Sequence, residues 1–327
     1  MRPPAFWFSS PDRPSWQAKL LSPVAGLVAQ KTARRVRQTG YKAQVPVICI
    51  GNLNLGGTGK TPTVIALMER LYGLNRHVHV VSRGYGGALT GPVRVNERNH
   101  SAQEVGDEPL LIAAFGPTWV AKDRAAGVQA AEAAGAEIIL LDDGHQNPSV
   151  QKDLSIVVID AGVGFGNGRV APAGPLREPV AAGFQRADAA MLIGPTVQQT
   201  RCLGIWGHAI NVPVLRATLD PLRTGMEWGG TRVLAFAGIG RPQKFFATLR
   251  GLGAILVKTQ ALDDHQALTD PLMKRLELEA MALNAQLVTT EKDAVRLPPG
   301  FRQKVITVPV RLNVEDWTPL DALLNQL

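Results

Sequence analysis

Five short runs in the first two thirds of the chain are apolar at nearly every position: VPVICIGN (45–52), HVHVVS (77–82), EIILLDD (137–143), LSIVVIDA (154–161) and AAMLIG (189–194). A strand with one wet face alternates apolar and polar residues, whereas a run apolar on both faces must be covered on both. Between these runs, TPTVIALMERLYGLN (61–75), EPLLIAAFG (108–116) and DRAAGVQAAEAAGA (123–136) are helical by apolar spacing or Ala content. Strands and helices therefore alternate, which predicts an α/β fold: a mostly parallel sheet covered by helices on both faces. The stretch 162–179, GVGFGNGRVAPAGPLREP, is too rich in Gly and Pro for regular structure and is expected to be a long functional loop.

The pattern restarts further on. RVLAFAGIGRPQKFFATLRGLGA (232–254) is a second strand, loop and helix, and AQLVTTEKDAVRL (285–297) is a strand leading into a turn or helix. These predict a smaller α/β domain over 225–304, beside a first domain over 45–208. Two similar extended pieces, NVPVLRATL (211–219) and TVPVRLNV (307–314), suggest a two-stranded linker over 209–224 and 305–316, with 317–327 returning as a helix to the first domain. A length of 327 residues and 45% apolar content accommodate two cores.

Charge changes the picture at one end only. Residues 1–44 hold eight Lys and Arg against Asp12, so +7 of the formal +8 lies there. A nucleic-acid enzyme spreads positive charge around a cleft; one basic segment points instead to a local anionic surface, and no nucleic-acid partner is expected. The segment also carries FWF (6–8), Trp16 and an apolar stretch from Leu20 to Val28 interrupted by Pro23, much shorter than the roughly 20 residues that span a bilayer. Basic and aromatic residues on one short helix suit a membrane interface. A solvated helix docked on its own domain is the simpler alternative. The two cysteines, Cys49 and Cys202, have no paired spacing, which fits a reducing compartment.

The candidate chemistry starts at NLNLGGTGKTP (52–62), a Gly-rich loop between a strand and a helix. Backbone N–H groups of such a loop cradle phosphates, a lysine neutralises the β/γ oxygens, and a hydroxyl holds Mg²⁺. Gly56, Gly57, Gly59, Lys60 and Thr61 supply these parts, with Leu55 and Thr58 between. Asn54 stands where the outer glycine is usual and is expected to tolerate a left-handed turn there. Asp142 and Asp143 end a strand, where such folds put ligands, and are candidates to hold Mg²⁺; Asp160 ends another. Asp107 opens a helix and is either its cap or a general base, with Glu108 next to it. Arg83 and Tyr85 in SRGYGG, and Arg177 and Glu178 in PLREP, are candidates to line the site, an arginine being able to grip a phosphate or a transferring phosphoryl group. His265 lies beside Asp263 and Asp264. TTEKD (289–293) fails the spacing of a guanine-reading motif, so ATP is expected rather than GTP. A P-loop ATPase or GTPase switch acting on a protein or metal-delivery partner is the alternative from these residues alone.

VICIGNLNLGGTGKTP, VVSRGYGG, VGDEP, LLDDGHQ, IVVIDAGVGFGNGRVAPAGPLREP, DDHQ and VTTEKDAVRL together, in this order, make the chain resemble the tetraacyldisaccharide 4′-kinase family, the lipid A 4′-kinases of Gram-negative bacteria. The resemblance implies a P-loop kinase core, a smaller domain on a two-stranded linker and a membrane-associating N-terminal helix at the cytoplasmic face of the inner membrane. It implies ATP and Mg²⁺, and transfer of the γ-phosphate to the 4′-hydroxyl of a tetraacylated glucosamine disaccharide 1-phosphate lipid. Carried onto these positions, Asn54 to Thr61 hold the nucleotide, Asp107 is the base with His265 assisting, and Lys60 and Arg177 act on the phosphoryl group. Thr61, Asp142 and Asp143 serve the metal, and Arg83, Tyr85, Glu108, Arg177 and Glu178 the acceptor side.

Overall fold

A computed structural model describes residues 3–264 and 266–327. The apolar runs become strands β1 (Val47–Gly51), β2 (Val78–Ser82), β5 (Ile138–Asp142), β6 (Leu154–Asp160) and β7 (Ala189–Ile193), every residue of each buried. With β3 (Val93–Arg94), β4 (Thr118–Val120), β8 (Val214–Pro221) and β13 (Val310–Val314) they form a nine-stranded sheet ordered β13-β8-β7-β6-β1-β5-β2-β4-β3. Only the edge strands β13 and β3 run antiparallel to their neighbours. The period of two along β1 assigns its faces: Ile48 and Ile50 pack under α2 (Lys60–Gly73), while Val47 and Cys49 share a core with Val128 of α5 (Arg124–Ala133). Helices thus cover both faces, as expected for two-sided apolar strands.

Four parallel strands, β9 (Arg232–Ala237), β10 (Ile255–Ala261), β11 (Gln286–Thr290) and β12 (Val305–Val308), make a second sheet ordered β10-β9-β11-β12. Helices α8 (Pro242–Gly251), α9 (Asp270–Ala282), α10 (Glu291–Ala294) and α11 (Pro299–Arg302) accompany it. The expected two-stranded linker takes a different form. Its two pieces pair as β8 and β13, but β8 also hydrogen-bonds β7, so the ribbon is the edge of the main sheet. Val305–Val308, read from sequence as linker, instead pairs with β11. Backbone N–H and C=O groups of an isolated ribbon need partners, and the exposed edge of β7 supplies them.

The remaining helices are α1 (Trp16–Val36), α3 (Ala102–Val105), α4 (Asp107–Ala113), α6 (Val180–Phe184), α7 (Thr196–Trp206) and α12 (Thr318–Leu324). The last buries Leu320 and Leu324 in the core beneath α2, and Arg70 of α2 pairs with Asp321. Burial dominates this docking: Leu320→Ala is expected to cost about 2–5 kcal/mol in equilibrium denaturation, and Asp321→Ala, which removes a part-exposed ion pair, under about 1 kcal/mol. The Gly- and Pro-rich loop after β6 is irregular but packed, because Phe165, Val170, Ala173 and Leu176 are buried against Phe184 and Trp206.

Candidate phosphoryl-transfer site

The Gly-rich loop leaves β1 and closes on itself before α2. Buried Asn52 donates from Nδ2 to the Gly56 carbonyl (3.1 Å) and to Thr58 Oγ1 (3.1 Å). Gly56 and Gly59 have φ of +120° and +100°, a region costly for side-chain-bearing residues. Gly59 is the N-cap of α2, so Lys60 and Thr61 begin the helix at the positive end of its dipole. The expected left-handed turn at Asn54 does not occur: Asn54 is not among the residues with positive φ. Its side chain is buried and donates to the Gly164 carbonyl (3.1 Å), and its backbone bridges Leu176. Leu55 N donates to the Pro175 carbonyl. The outer part of the cradle is thus fastened to the loop after β6, which replaces the glycine turn with an external brace.

Two carboxylates at the end of β5 face this cradle and differ in state. Asp143 has φ of +56°, and its side chain takes two bonds from Arg177 (2.8 and 3.0 Å) with Lys60 Nζ 3.6 Å away. Burial pushes its acidity down, but Lys60 and Arg177 outweigh burial and hold its carboxyl below the usual range. Asp142 is fully buried; one oxygen accepts from Ser82 Oγ (2.9 Å), and the other has no hydrogen-bond partner among the described residues. Burial, with the charge of Glu108, pushes it up to about 6. A buried carboxylate oxygen lacking a donor is costly unless a cation completes it. Among the described residues no group of three or more His, Cys, Asp or Glu is clustered to hold a metal. Asp142 with the Thr61 hydroxyl therefore fits Mg²⁺, which keeps most of its shell as water and phosphate oxygen, better than a metal needing a full protein cage.

Several side chains do work that their sequence positions did not reveal. Arg124, buried at the start of α5, donates to the Val81 and Asp142 carbonyls (2.8 Å each) and so ties together the ends of β2 and β5. A basic residue at a helix start opposes the dipole, so no local pattern marks it. Arg177, expected to act on the phosphoryl group, is a strut within the protein. Its guanidinium bonds Asp143, the Asn54 carbonyl (3.1 Å) and Gln146 (3.3 Å), linking cradle to carboxylate. Glu178, expected to line the site, does not: it is buried, holds Arg186 (2.7 Å) and accepts from Gln146 (2.9 Å), which in turn donates to the Asn52 carbonyl. Its carboxylate needs those donors more than it needs water, so it supports the wall from behind. Buried His145 is pushed down to about 4 by burial and by Arg186.

A cavity of about 1700 Å³ connects these parts. It is lined by Lys60, Thr61, Asp142, Asp143 and Arg177, by Arg83, Tyr85 and Glu108, and by Val28 and Arg35 of α1. Asp107 is not in the wall. It is buried at the start of α4, where Oδ1 accepts from Glu108 N (3.0 Å) and Oδ2 lies 3.9 Å from Arg296 Nε. Glu108 pairs across the cleft with Lys292 (3.1 Å). TTEKD therefore belongs to the contact between the two sheets' units: Lys292 reaches Glu108, and Asp293 is buried on Gly238 N and Thr290. His265, read as the partner of Asp107, lies outside the described residues. Asp160, a possible metal ligand by sequence, accepts from Arg241 and Lys244 instead.

A strand, Gly-rich loop and helix facing a strand-end carboxylate pair in a parallel sheet define a P-loop protein that acts on a nucleoside triphosphate. Known proteins sharpen that class. The family model described as "LpxK: Tetraacyldisaccharide-1-P 4'-kinase" matches residues 17–327, and the chain belongs to this family. Proteins named tetraacyldisaccharide 4′-kinase from Dinoroseobacter shibae and Jannaschia sp. are 60% and 58% identical to it, covering all of this chain and 98% and 99% of theirs. The solved structure of LpxK from Aquifex aeolicus, described as an "apo" form in complex with ATP, superposes with a TM-score of 0.77 at 26% identity, over 94% of this chain and 98% of that one.

Proposed function

We propose that this kinase transfers the γ-phosphate of ATP to the 4′-hydroxyl of a tetraacylated glucosamine disaccharide 1-phosphate, giving the bisphosphorylated lipid A precursor. The observation that carries this reading is the single cavity in which the phosphate cradle, the Asp142–Asp143 pair and the α1 helix meet. The division of labour follows the sequence reading: residues 45–208 as kinase unit, 225–304 as the smaller unit, and 1–44 as the membrane-associating segment. Lys60 and the loop amides hold the β- and γ-phosphates, and Arg177 keeps Asp143 and the cradle in register. Asp142 and Thr61 would hold Mg²⁺, which neutralises charge on the phosphate oxygens. Asp107 accepts the proton of the sugar hydroxyl as it attacks, and Arg83 and Tyr85 bind the acceptor. Because Asp107 stands behind the wall against Arg296 and Glu108 against Lys292, the acceptor reaches the base as the two units adjust at this contact. Incubation with γ-labelled ATP and the disaccharide 1-phosphate lipid tests the reaction; ATP hydrolysis without a labelled lipid would sink it in favour of a switch ATPase.

The membrane assignment rests on α1. Its N-terminus is capped by Ser15, which accepts from Ala18 N. One stripe, Ala18, Leu21 and Ala25, faces the protein, where Leu21 and Ala25 join the Phe165 cluster. Another stripe, Trp16, Leu20, Val24 and Leu27, recurs every three to four residues and is exposed, with Trp16 at 71% and Leu20 at 70%. Arg34 and Arg35 follow in its last turn. Among the described residues no helix is long and apolar enough to cross a membrane. An exposed apolar stripe on a helix with a basic end suits the surface of an anionic bilayer, with the stripe among the acyl chains. Replacing Trp16, Leu20 and Leu27 by Ser should lower the partition coefficient onto anionic vesicles by about 10³-fold or more, since burying each side chain is worth about 1.5–3 kcal/mol and about 1.4 kcal/mol is tenfold. The melting temperature should stay unchanged because these side chains touch little of the protein; unchanged sedimentation would refute the assignment.

A further inference from the structure

The loop between β9 and α8 in the smaller unit, Gly238 to Arg241, reaches over the phosphate cradle. A Cβ at Gly240 would lie 3.8 Å from the backbone N of Gly57, an amide of the cradle, and 3.7 Å from Asp264 Oδ2. Next to it, Arg241 Nη1 and Lys244 Nζ both donate to one oxygen of Asp160, the lysine at 2.6 Å. Asp160 ends β6, the strand beside β1, and its side chain is almost buried, at 5% exposure; Lys244 keeps 44%. All three residues line the same cavity as Lys60. Two cations on one carboxylate leave a surplus positive charge, part-exposed, with Arg241 next to Gly240 and Lys244 four residues after it. Asp160 does not need two partners to be satisfied, because Gly162 N already donates to its other oxygen (2.9 Å).

The geometry points to Arg241 and Lys244 as a second phosphate clamp, supplied by the smaller unit, that binds the polyphosphate of the nucleotide while Asp160 anchors the pair to the kinase sheet. This rests on the P-loop reading of the site but on none of its acceptor chemistry. Both cations line the cavity that the loop residues Gly56 to Lys60 also line, so the β- and γ-phosphates are held from two units at once. Nucleotide binding and docking of the smaller unit are then coupled through the same two side chains, because a clamp on the phosphates pulls residue 241 toward Gly57.

The decisive measurement is calorimetric binding of ATP, ADP and AMP, with Mg²⁺, to the full chain and to Arg241→Gln, Lys244→Gln and Arg241→Lys. A phosphate clamp predicts a graded loss in each glutamine variant: about tenfold or more for ATP, less for ADP, and under about twofold for AMP. Arg241→Lys should recover most of the ATP affinity. An equal loss for the three nucleotides, or none, overturns the proposal, because a general packing role does not count phosphates. A glutamine variant that melts well below the full chain is replaced in this comparison by the methionine variant at the same position, which keeps the stem and lacks the charge. The same graded loss from ATP to AMP then supports the clamp, and an equal loss for the three nucleotides, or none, refutes it. Absence of lipid phosphorylation by the unaltered chain would refute the kinase reading and leave this binding result standing.

Discussion

Asp107→Asn is expected to lower lipid phosphorylation by about 10²- to 10⁴-fold while leaving ATP–Mg²⁺ affinity within about twofold, the usual scale for removing a general base. A sugar hydroxyl is a poor nucleophile, and an amide of the same shape cannot accept its proton. Lys60→Ala should fail differently, losing both nucleotide affinity and turnover, because Lys60 stands within the cradle and beside Asp143. Glu108→Gln is the informative control. Glu108 lines the cavity whereas Asp107 is buried behind it, so a chemist reading accessibility alone would choose Glu108. If Glu108→Gln loses about 10²- to 10⁴-fold in turnover and Asp107→Asn keeps normal turnover, the base is Glu108. If Asp107 is the base, Glu108→Gln weakens mainly the contact with Lys292 and has the smaller effect on turnover.

Asp142→Asn is expected to lower Mg²⁺-dependent turnover to about 1% of wild type or less and, without added divalent cation, to raise the melting temperature near neutral pH. The sign follows from the carboxyl's value of about 6 in the folded chain against 3.8 ordinarily. Folding then disfavours the ionised form, so the carboxylate destabilises the protein above about pH 6, and the penalty fades as pH falls toward about 4. An asparagine carries no such penalty. The variant's advantage should therefore be full at about pH 8 and vanish at about pH 4. Added Mg²⁺ should stabilise the wild type at about pH 8 more than the variant, since a cation offsets the buried charge. A variant less stable than wild type at about pH 8 without cation would show that the Ser82 hydrogen bond, rather than the buried charge, dominates at this position.

The α/β class, the parallel sheet and the phosphate cradle were legible in the sequence for a local reason. Two-sided apolar runs such as Val47–Ile50 force burial of both faces, and Gly56, Gly59 and Lys60 encode a backbone path and a charge within six residues. The Asp142–Asp143 pair was visible too, as adjacent charges ending a buried strand. Its division of roles was not, because Arg177 lies 34 residues from Asp143 and Ser82 lies 60 from Asp142. The short strands β3 and β4, at one end of the main sheet, escaped notice because two or three residues carry no measurable period.

Asn54 marks the boundary between the two kinds of information. By itself the sequence determined that a phosphate-binding loop stands between β1 and α2, since spacing along one chain is enough to specify it. Only the tertiary structure decided how that loop manages without its outer glycine: through the Gly164 carbonyl, Pro175 and Arg177, more than a hundred residues away. The same holds for the placement of Glu178 behind the wall and of Arg241 and Lys244 across the cleft. Hydrogen bonds and ion pairs act over a few ångströms in space, and residues brought within that range by folding need share no pattern along the chain.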